Sequence, residues 1–546
     1  MIPNEHKGKT MSKVASYLQS HIVGELTTRK DVREQFAHDG SVLEQTPEIV
    51  AYPRTTNDIR KIARFSWQLA EKGHGLPITP RGAGTDPTGA AIGQGVSIVT
   101  TRHMHRVFEY DSKQKLLRLQ PGASVESVEN ALRLHGVTIP AFVDGRGTVG
   151  GEIASNHAHR LTAKYGRVSD SVDKLEIVLD DGEVIQTGRI NKRELGKRKG
   201  WQGREGDIYR GIDAVLEDHA ELIASIQRGE LIPQGGYPGI ADVRAKDGSV
   251  DLAPLFIGSQ GTLGIISEAI LRTTFVPAKI SRVAVAFKSA ETARDTIDTL
   301  IGLTPAYVEY YDGRLLSQAI SEGNSYEWLG ELSTIGAVVL FGFDDFNERA
   351  RQRQMKKALR ILQKLDKDVA IATTDTHDGE MIEAVRAIAD PTSTSTIHAD
   401  QSMPPLVEGF FVPQARFEDF LQALTTLEAA LHVDLPIYGS PITGHFSLRP
   451  TLSLHKVSDK QKVFKLIDQL NALLIQYEGD LVAGGSEGRL LSRFVRASWS
   501  EEYTQMVDEI KRVFDPHGIL NPGVKTPVEL RELVTQLRSD NSVGLS

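Results

Sequence analysis

Two glycine-rich segments, each directly after a short apolar run, constrain the fold of this chain most strongly. The first reads PRGAGTDPTG at 80–89 and the second reads GRGTVGGEIASN at 145–156. Loops of this kind turn successive backbone N–H groups inward, and glycine lets the backbone approach a diphosphate because no side chain blocks it. Together the loops can hold one long dinucleotide. Two turns without a ligand are the alternative that composition leaves open.

The spacing of Gly145, Gly147 and Gly150 matches the G-x-G-x-x-G turn of a Rossmann fold, but its surroundings do not. The preceding run contains Pro140, which lacks an N–H donor and does not suit a central parallel strand. A Rossmann fingerprint also opens its domain, whereas this one lies well inside the chain. A P-loop is excluded because no G-K-[ST] follows a glycine cluster.

Composition excludes several classes of chemistry. The chain has 546 residues, a formal net charge of −8 and no cysteine. Disulfides, thiolate catalysis, cysteine-ligated zinc and iron–sulfur clusters are therefore excluded. The charge gives no indication of a nucleic-acid partner, and we interpret the basic cluster at 192–204 as a solvated loop.

Targeting signals are equally sparse. The N-terminus lacks an apolar signal core, and no stretch approaches the roughly 20 apolar residues of a membrane helix. We expect a cytoplasmic protein and leave open a peripheral contact at the inner membrane face. The pattern does not indicate an oligomeric state or an electron acceptor.

Strand and helix patterns alternate in the first half of the chain. A helix is predicted over 55–73, with Thr55 and Gly73 as its caps, and a second from Ser124 to Gly136. LPITP and VSIVTT are predicted strands, and DKLEIVLDDGEVIQTG predicts a hairpin that turns at Asp181-Gly182. The mixture indicates an α+β fold.

Six blocks in order, EIVAYPRTTNDIRKI, PITPRGAGTDPTG, LQPGASVESVENAL, TVGGEIASN, KYGRVSDSVDKLEIVLDDGEVI and FIGSQGTLGIISEAILR, resemble one known family. This family is that of the FAD-binding, PCMH-type (vanillyl-alcohol-oxidase-like) flavoproteins. The segments FAHDGSVLEQTPEIVAYPRTT and IKRVFDPHGILNPGVK are similar to the D-lactate dehydrogenase and glycolate oxidase subunit branch. The resemblance covers roughly residues 30–278 and 380–525.

The resemblance implies a two-subdomain FAD-binding domain over 46–277, which carries an inserted, charged segment at about 190–252. It also implies an α+β substrate (cap) domain with an antiparallel sheet over 278–480. A helical N-terminal segment at 1–45 precedes them, and a helical C-terminal segment at 481–546 returns to the flavin.

The family's flavin-lining positions carry over residue by residue. Because no histidine stands at the first loop, we expect FAD to bind without a covalent link. Gln260 replaces a glutamate that is usual in the family, and we expect FAD binding to survive this change. The positions that the resemblance assigns to FAD are Arg81, Gly82, Ala83, Gly84, Thr85, Asp86, Gly89, Pro121, Thr148, Gly150, Gly151, Ala154, Asn156, Tyr165, Gly166, Gly261, Thr262, Gly264, Ile265 and Asn521.

The resemblance also names candidate catalytic residues. His445 matches the first histidine of a G-H-…-H loop, but the second is replaced by Ser447 or Leu452, and Glu487 lacks the histidine that normally follows it. A divalent metal is therefore not expected. His445 is interpreted either as the base that takes the hydroxyl proton or as a structural histidine.

Two arginines are candidates for holding a substrate carboxylate. Arg386 lies in MIEAVRAIADPTSTS, which resembles the family's W-x-x-R-E helix, and Arg449 lies in SLRP. Arginine suits this task because its planar guanidinium binds a carboxylate through two parallel hydrogen bonds. Either arginine can instead belong to an ordinary ion pair. His157 and His159 replace small residues of the family and either contact the flavin or face solvent.

These features predict an FAD-dependent enzyme that dehydrogenates a small D-2-hydroxy acid such as lactate or glycolate. Two other functions stay open at this point. One is an FAD-dependent sugar or alcohol oxidase, which has no need of a carboxylate-binding arginine. The other is a flavin-binding subunit without turnover of its own, which the missing histidines favour.

Overall fold

The computed structural model describes residues 13–142, 147–233, 235–275, 277, 279–321, 323–330, 334–365, 369–374, 385–387, 396–398, 401–482 and 486–539. Helices within these ranges span Lys30–Gln35, Thr56–Glu71, Val125–Arg133, Val149–Ser155, Thr162–Tyr165, Val168–Ser171, Lys192–Lys199, Arg204–Asp218, Ala220–Gln227, Ile240–Val243, Ala253–Phe256, Ala290–Ile301, Gly313–Ser321, Glu348–Leu365, Phe417–Leu431, Val457–Gln476, Gly488–Ala497, Glu501–Phe514 and Leu530–Thr535. Short 3-10 turns span Pro140–Phe142, Glu327–Leu329 and Gln414–Arg416.

A small mixed sheet carries the first glycine loop. Its strands, in the part of the chain that the structure describes, are β1 (Glu25–Thr27), β2 (Ile49–Tyr52), β3 (Ile78–Arg81) and β4 (Val96–Val99), in the order β1-β2-β4-β3. β4 runs parallel to both β2 and β3, and β1 pairs antiparallel with β2. The first glycine loop therefore starts where β3 ends.

The predicted helix after residue 55 packs against this sheet. It spans Thr56–Glu71, and Thr55 accepts a hydrogen bond from the Asp58 N–H at its start. Ile59, Ile62 and Ala63 are fully buried on one face of the helix, as the sequence periodicity predicts. Gly73 follows the helix with a φ of +77°, a conformation in which glycine carries no penalty.

A second, antiparallel sheet carries other segments that the resemblance assigns to FAD. Its described strands are β5 (Val107–Asp111), β6 (Leu116–Leu119), β7 (Val172–Val178), β8 (Val184–Gln186) and β9 (Ile265–Arg272), in the order β5-β6-β9-β7-β8. The predicted hairpin is confirmed, because β7 and β8 pair antiparallel across the turn at Asp181-Gly182. β9 begins at Ile265, directly after the GSQGTLG segment.

A third sheet, entirely antiparallel, forms the core of the second half. Its order among the described residues is β13-β10-β12-β11-β17-β18-β16. Its strands are β10 (Ser281–Phe287), β11 (Tyr307–Asp312), β12 (Ala337–Phe343), β13 (Ala370–Thr373), β16 (Val407–Phe411), β17 (Ile437–Ser440) and β18 (His445–Leu448); β14 (Thr396–His398) and β15 (Gln401–Ser402) pair separately. These sheets and helices confirm the predicted α+β class.

The segment at 190–252 is mostly helical. Lys192–Lys199 forms a helix, so the prediction of a solvated loop at 192–204 is wrong. The Asn191 side chain caps the start of this helix. One of its basic residues, Arg198, forms an ion pair with Glu205 of the next helix. Within the helix, Glu194 lies 3.6 Å from both Lys197 Nζ and Arg198 Nε, at i+3 and i+4, so ion pairs offset part of the cluster's charge. The domain boundaries at 45, 277 and 480 stay predictions.

Candidate functional site

One cavity joins the two glycine loops to the third sheet. Its volume is about 700 Å³, and it runs from the loop after β3, past the segment that begins the Val149–Ser155 helix, to the wall made by β11, β16, β17 and β18. The residues that line it come from three sheets that are far apart in sequence. A space with a glycine-rich end and a polar wall suits a long ligand with a small second ligand beside it.

Most positions assigned to FAD line this cavity. The ones that do are Arg81, Gly82, Ala83, Gly84, Thr85, Asp86, Pro121, Thr148, Gly150, Gly151, Ala154, Gly261 and Gly264. Residues 143–146, which include Gly145, lie outside the described residues.

Close packing explains why glycine is needed at this end. A Cβ placed on Gly150 would lie 2.6 Å from Pro121 Cβ and 3.1 Å from the Pro121 carbonyl oxygen. A Cβ on Gly82 would collide with Thr148, and one on Gly261 with Pro80. At these three glycines a neighbouring residue packs directly against the backbone, so none of the positions has room for a Cβ.

Several other assigned positions support the cavity from outside its wall: Gly89, Asn156, Tyr165, Gly166, Thr262, Ile265 and Asn521. Tyr165 donates its hydroxyl to Asp344 Oδ2 at 2.5 Å, and Asn156 Oδ1 accepts from the Ser169 N–H at 3.2 Å. Their assignment to FAD stays a prediction.

Asn521 connects two walls of the cavity through hydrogen bonds. It is fully buried, and its Nδ2 donates to the carbonyls of Ala90 and Gln260, both at 2.8 Å. Gln260 in turn donates to Thr88 Oγ1 at 3.1 Å and accepts from the Gly488 N–H at 2.9 Å. The C-terminal segment thus returns to the glycine loops, where Asn521 acts as a buried hydrogen-bonded link.

The charges at the glycine-rich end are compatible with a diphosphate. Arg81 is 5% exposed and donates to the Ala91 carbonyl at 3.1 Å, so a buried cation lies under the first loop. Asp86 fixes the loop by accepting from the Thr88 N–H at 2.7 Å. Burial, with the nearby Asp86 charge, raises the pKa of Glu152 to about 7, so this acid carries less negative charge near neutral pH.

The opposite wall carries a buried ion pair. Arg386 Nε and Nη2 both lie 2.9 Å from Glu309 Oε2, and both residues line the cavity. The Arg386 guanidinium lies 5.0 Å from the centre of the Tyr307 ring. Arg160, which was not predicted from the sequence, also lines the cavity and lies 5.4 Å from the same ring.

His445 lies on this wall at the start of β18. Arg167 Nη2 donates to its Nε2 at 3.0 Å. Burial and the Arg167 charge lower the pKa of His445 to about 4, so the ring is neutral at pH 7. His157 also lines the cavity, next to Gly409 in β16, and burial lowers its pKa too.

Arg449 and Glu487, both predicted to be catalytic, do not line the cavity. Arg449 is 1% exposed, and its Nε lies 3.4 Å from Glu408 Oε1. Glu487 is fully buried, accepts from the Gly236 N–H at 2.9 Å and pairs with Lys525 Nζ at 2.8 Å. Each side chain neutralises a buried charge, which is a structural role.

Sequence reasoning did not identify Glu309, Glu408, Tyr311 and Tyr438, all of which line the cavity. Tyr438 donates to Glu408 Oε2 at 2.6 Å, and the rings of Tyr311 and Tyr438 stack with their centres 6.1 Å apart. A usable signal existed for Glu309: an acid in the middle of the otherwise apolar, aromatic run AYVEYY shares a strand face with Tyr307 and Tyr311.

Among the side chains that the structure describes, no three His, Cys, Asp or Glu are grouped to hold a metal ion. In particular, His445 lines the cavity whereas Glu487 is bound to Lys525, so the two do not form a metal site. None of the described helices is long and apolar enough to cross a lipid bilayer.

Two families match the chain in succession. The family of the FAD binding domain matches residues 47–188, and that of the FAD linked oxidases, C-terminal domain, matches residues 276–524. FAD is therefore the cofactor. The cavity fits FAD, because one of its ends is lined by glycines that have no room for a Cβ and has the buried Arg81 next to it.

Individual relatives agree with the resemblance. The chain is 25% identical over 527 residues to a D-2-hydroxyglutarate dehydrogenase of Pseudomonas putida, across 94% of this chain and 51% of that enzyme. The chain thus spans about half the length of that relative. It is 24% identical to the glycolate oxidase subunit GlcD of Bacillus subtilis, across 90% of this chain and 92% of that subunit.

The fold is shared with solved structures. The 4-ethylphenol oxidase from Gulosibacter chungangensis superimposes with a TM-score of 0.66 at 15% identity, and the match covers 97% of this chain and 99% of that one. At this identity the likeness concerns the fold alone. With an FAD binding domain followed by the C-terminal domain of the FAD linked oxidases, the chain belongs to the FAD-linked oxidoreductases.

Proposed function

We propose that this protein oxidises a small D-2-hydroxy acid, lactate- or glycolate-like, to the 2-oxo acid with FAD as the acceptor. One observation carries the proposal: a single cavity connects the glycine loops that suit FAD to a wall with arginines and a neutral histidine. When bound, FAD supplies the acceptor for the two electrons and the hydrogen that leave the alcohol carbon.

The chain itself supplies the positive charge for the substrate's carboxylate. Arg160 and Arg386 both line the cavity, and their guanidinium groups lie 5.4 Å and 5.0 Å from the centre of the same aromatic ring, that of Tyr307. Because guanidinium groups bind carboxylates through paired hydrogen bonds, these two arginines are the proposed carboxylate anchor. Arg449 is not part of this anchor, because it does not line the cavity. Its Nε lies 3.4 Å from Glu408 Oε1, and its guanidinium lies 5.6 Å from the centre of the Tyr438 ring.

The hydroxyl proton needs an acceptor, and His445 Nε2 is the proposed one. At neutral pH the ring holds one proton, and its Nε2 is already a hydrogen-bond acceptor, used by Arg167 in the substrate-free protein. The substrate hydroxyl would take the place of the Arg167 donor at Nε2. In that position His445 draws the proton from the hydroxyl as the carbon–oxygen double bond forms.

The test is the visible spectrum of the purified holoprotein under anaerobic conditions. D-lactate, glycolate and D-2-hydroxyglutarate are added separately, and the flavin absorbance band is followed. Bleaching by one of these acids is the expected result. Yellow protein that keeps its absorbance with all three acids contradicts the proposed substrate class, whereas colourless protein that cannot be reconstituted contradicts FAD binding.

The pH dependence of flavin reduction tests His445. Since the pKa of His445 is lowered to about 4, the acceptor form is complete above about pH 6 and is lost as the pH falls toward about 4. We expect His445→Gln to slow reduction by about 10²- to 10⁴-fold and to remove this acid limb. Stopped-flow reduction across the pH range measures both.

Two variants complete that experiment. His74→Gln alters an exposed histidine and should behave like wild type. If His157→Gln, and not His445→Gln, removes the acid limb, then the proton acceptor is His157 and the assignment to His445 is wrong.

A second candidate function is the oxidation of a sugar or an alcohol. The observation that favours it is the presence of two carboxylates, Glu309 and Glu408, on the same wall as Arg386. Carboxylates accept hydrogen bonds from hydroxyl groups and repel other carboxylates. Bleaching by a neutral alcohol or a sugar, with no response to the three acids, would favour this alternative.

A further inference from the structure

The ion pair between Glu309 and Arg386 determines how much positive charge the cavity offers to an acid. Both side chains line the cavity and are only 15% and 12% exposed, so solvent screens the pair little. We infer that Glu309 is a specificity-determining residue that competes with the substrate's carboxylate for Arg386. This inference rests on the proposed function, which places the carboxylate at the arginines of this wall.

The position of Glu309 is held by the sheet. It lies in β11, where it pairs with Leu340 of β12, and its neighbours at i−2 and i+2, Tyr307 and Tyr311, share its face. The Tyr311 hydroxyl lies 3.4 Å from Glu309 Oε1, while Arg386 takes Oε2. The carboxylate is thus contacted on both oxygens and cannot leave Arg386 without losing these contacts.

The position of Arg386 is equally determined. Its Nε donates to Glu309 Oε2, its Nη2 lies 2.9 Å from the same oxygen, and its guanidinium lies 5.0 Å from the centre of the Tyr307 ring. The arginine is therefore neutralised by a built-in acid on the cavity wall. A carboxylate that reaches Arg386 meets the negative charge of Glu309 at the same place, and like charges in a poorly screened site repel strongly.

The other acid on this wall strengthens the effect for dicarboxylates. Glu408 lines the cavity and accepts from the Tyr438 hydroxyl at 2.6 Å. Its arginine partner, Arg449, does not line the cavity. A second carboxylate that lies against this wall would be repelled by either glutamate, so the wall favours substrates with a single carboxylate.

Binding of oxalate, a dicarboxylate that cannot be dehydrogenated, isolates this effect from turnover. Oxalate is titrated into the holoprotein, and the perturbation of the flavin spectrum gives its dissociation constant. We expect Glu309→Gln to bind oxalate about tenfold or more tightly than wild type. Glu309→Asp, which keeps the charge, should not show this gain, and the double variant Glu309→Gln, Arg386→Gln should lose it.

Turnover provides a second readout. For the hydroxy acid that bleaches wild type, Glu309→Gln should lower KM while the limiting rate of flavin reduction changes less than about threefold. If Glu309→Gln does not retain FAD, Glu309→Ser removes the charge with a smaller side chain and is tested in the same way.

The outcomes separate this inference from the proposed function. Equal or weaker oxalate binding by the charge-removing variant overturns the inference, because Glu309 would then orient Arg386 and not compete for it. Tighter oxalate binding in a protein that none of the three hydroxy acids reduces would support the inference and overturn the proposed substrate class.

Discussion

Gly150→Val is expected to yield protein that folds but binds FAD more weakly and is purified with less of it. Gly150 lies where the second glycine loop enters the Val149–Ser155 helix, and even a single Cβ there would lie 2.6 Å from Pro121 Cβ. Overpacking of this kind costs about 1–3 kcal/mol, which corresponds to a loss of about 5- to 150-fold in affinity if the helix shifts into the cofactor space. The ratio of flavin to protein absorbance and a reconstitution titration with FAD measure the effect.

Gly75→Val is the matched control. Gly75 is exposed, and a Cβ on it would meet no atom within 4 Å. This variant should keep its FAD and its thermal midpoint. If Gly150→Val also retains FAD at wild-type affinity, the two glycine loops do not form the diphosphate-binding end of the cavity.

Glu487→Gln is expected to destabilise the protein strongly without acting on the chemical step. The pair between Glu487 and Lys525 is almost completely shielded from solvent, at 0% and 1% exposure. Removing one partner of such a pair costs about 3–5 kcal/mol, because the other charge stays buried without compensation. The thermal unfolding midpoint of the holoprotein should fall clearly, while the rate of flavin reduction in the remaining folded protein is preserved.

Two further variants test whether the effect comes from the buried charge. Glu487→Gln combined with Lys525→Met removes both charges and should recover part of the lost midpoint. Glu230→Gln breaks the exposed pair with Arg228 and should leave the midpoint unchanged. An unchanged midpoint in Glu487→Gln, together with a loss of flavin reduction, would instead support the catalytic role predicted from the sequence.

Local patterns were sufficient to predict individual helices, strands and loops of the first half, whereas FAD itself was predicted from the family resemblance. The helix at Thr56–Glu71 and the β7–β8 hairpin depend on neighbours in sequence, such as the Thr55 cap and the Asp181-Gly182 turn. The glycine loops are similarly local, since a tight backbone approach demands glycine whatever the rest of the chain does. Caps, turns and glycine loops of this kind can therefore be recognised in a single sequence.

The substrate wall could not be predicted in the same way. Arg386 resembled a carboxylate anchor, but its partner Glu309 is 77 residues away in sequence and meets it only because β11 lies in the middle of the third sheet. Likewise, Glu487 resembled a metal ligand until the structure placed Lys525 beside it. Whether a charged residue faces a ligand or a counter-ion depends on tertiary contacts, which spacing does not report.

The buried link through Asn521 has a consequence for the order in which the protein matures. Asn521 holds the carbonyls of Ala90 and Gln260, so two walls of the cofactor space are joined by a residue near the end of the chain. During synthesis, the strands and glycine loops of the first half emerge long before this residue. The complete FAD-binding cradle therefore requires a residue that is synthesised 431 residues after Ala90, and we expect FAD to load only after that point.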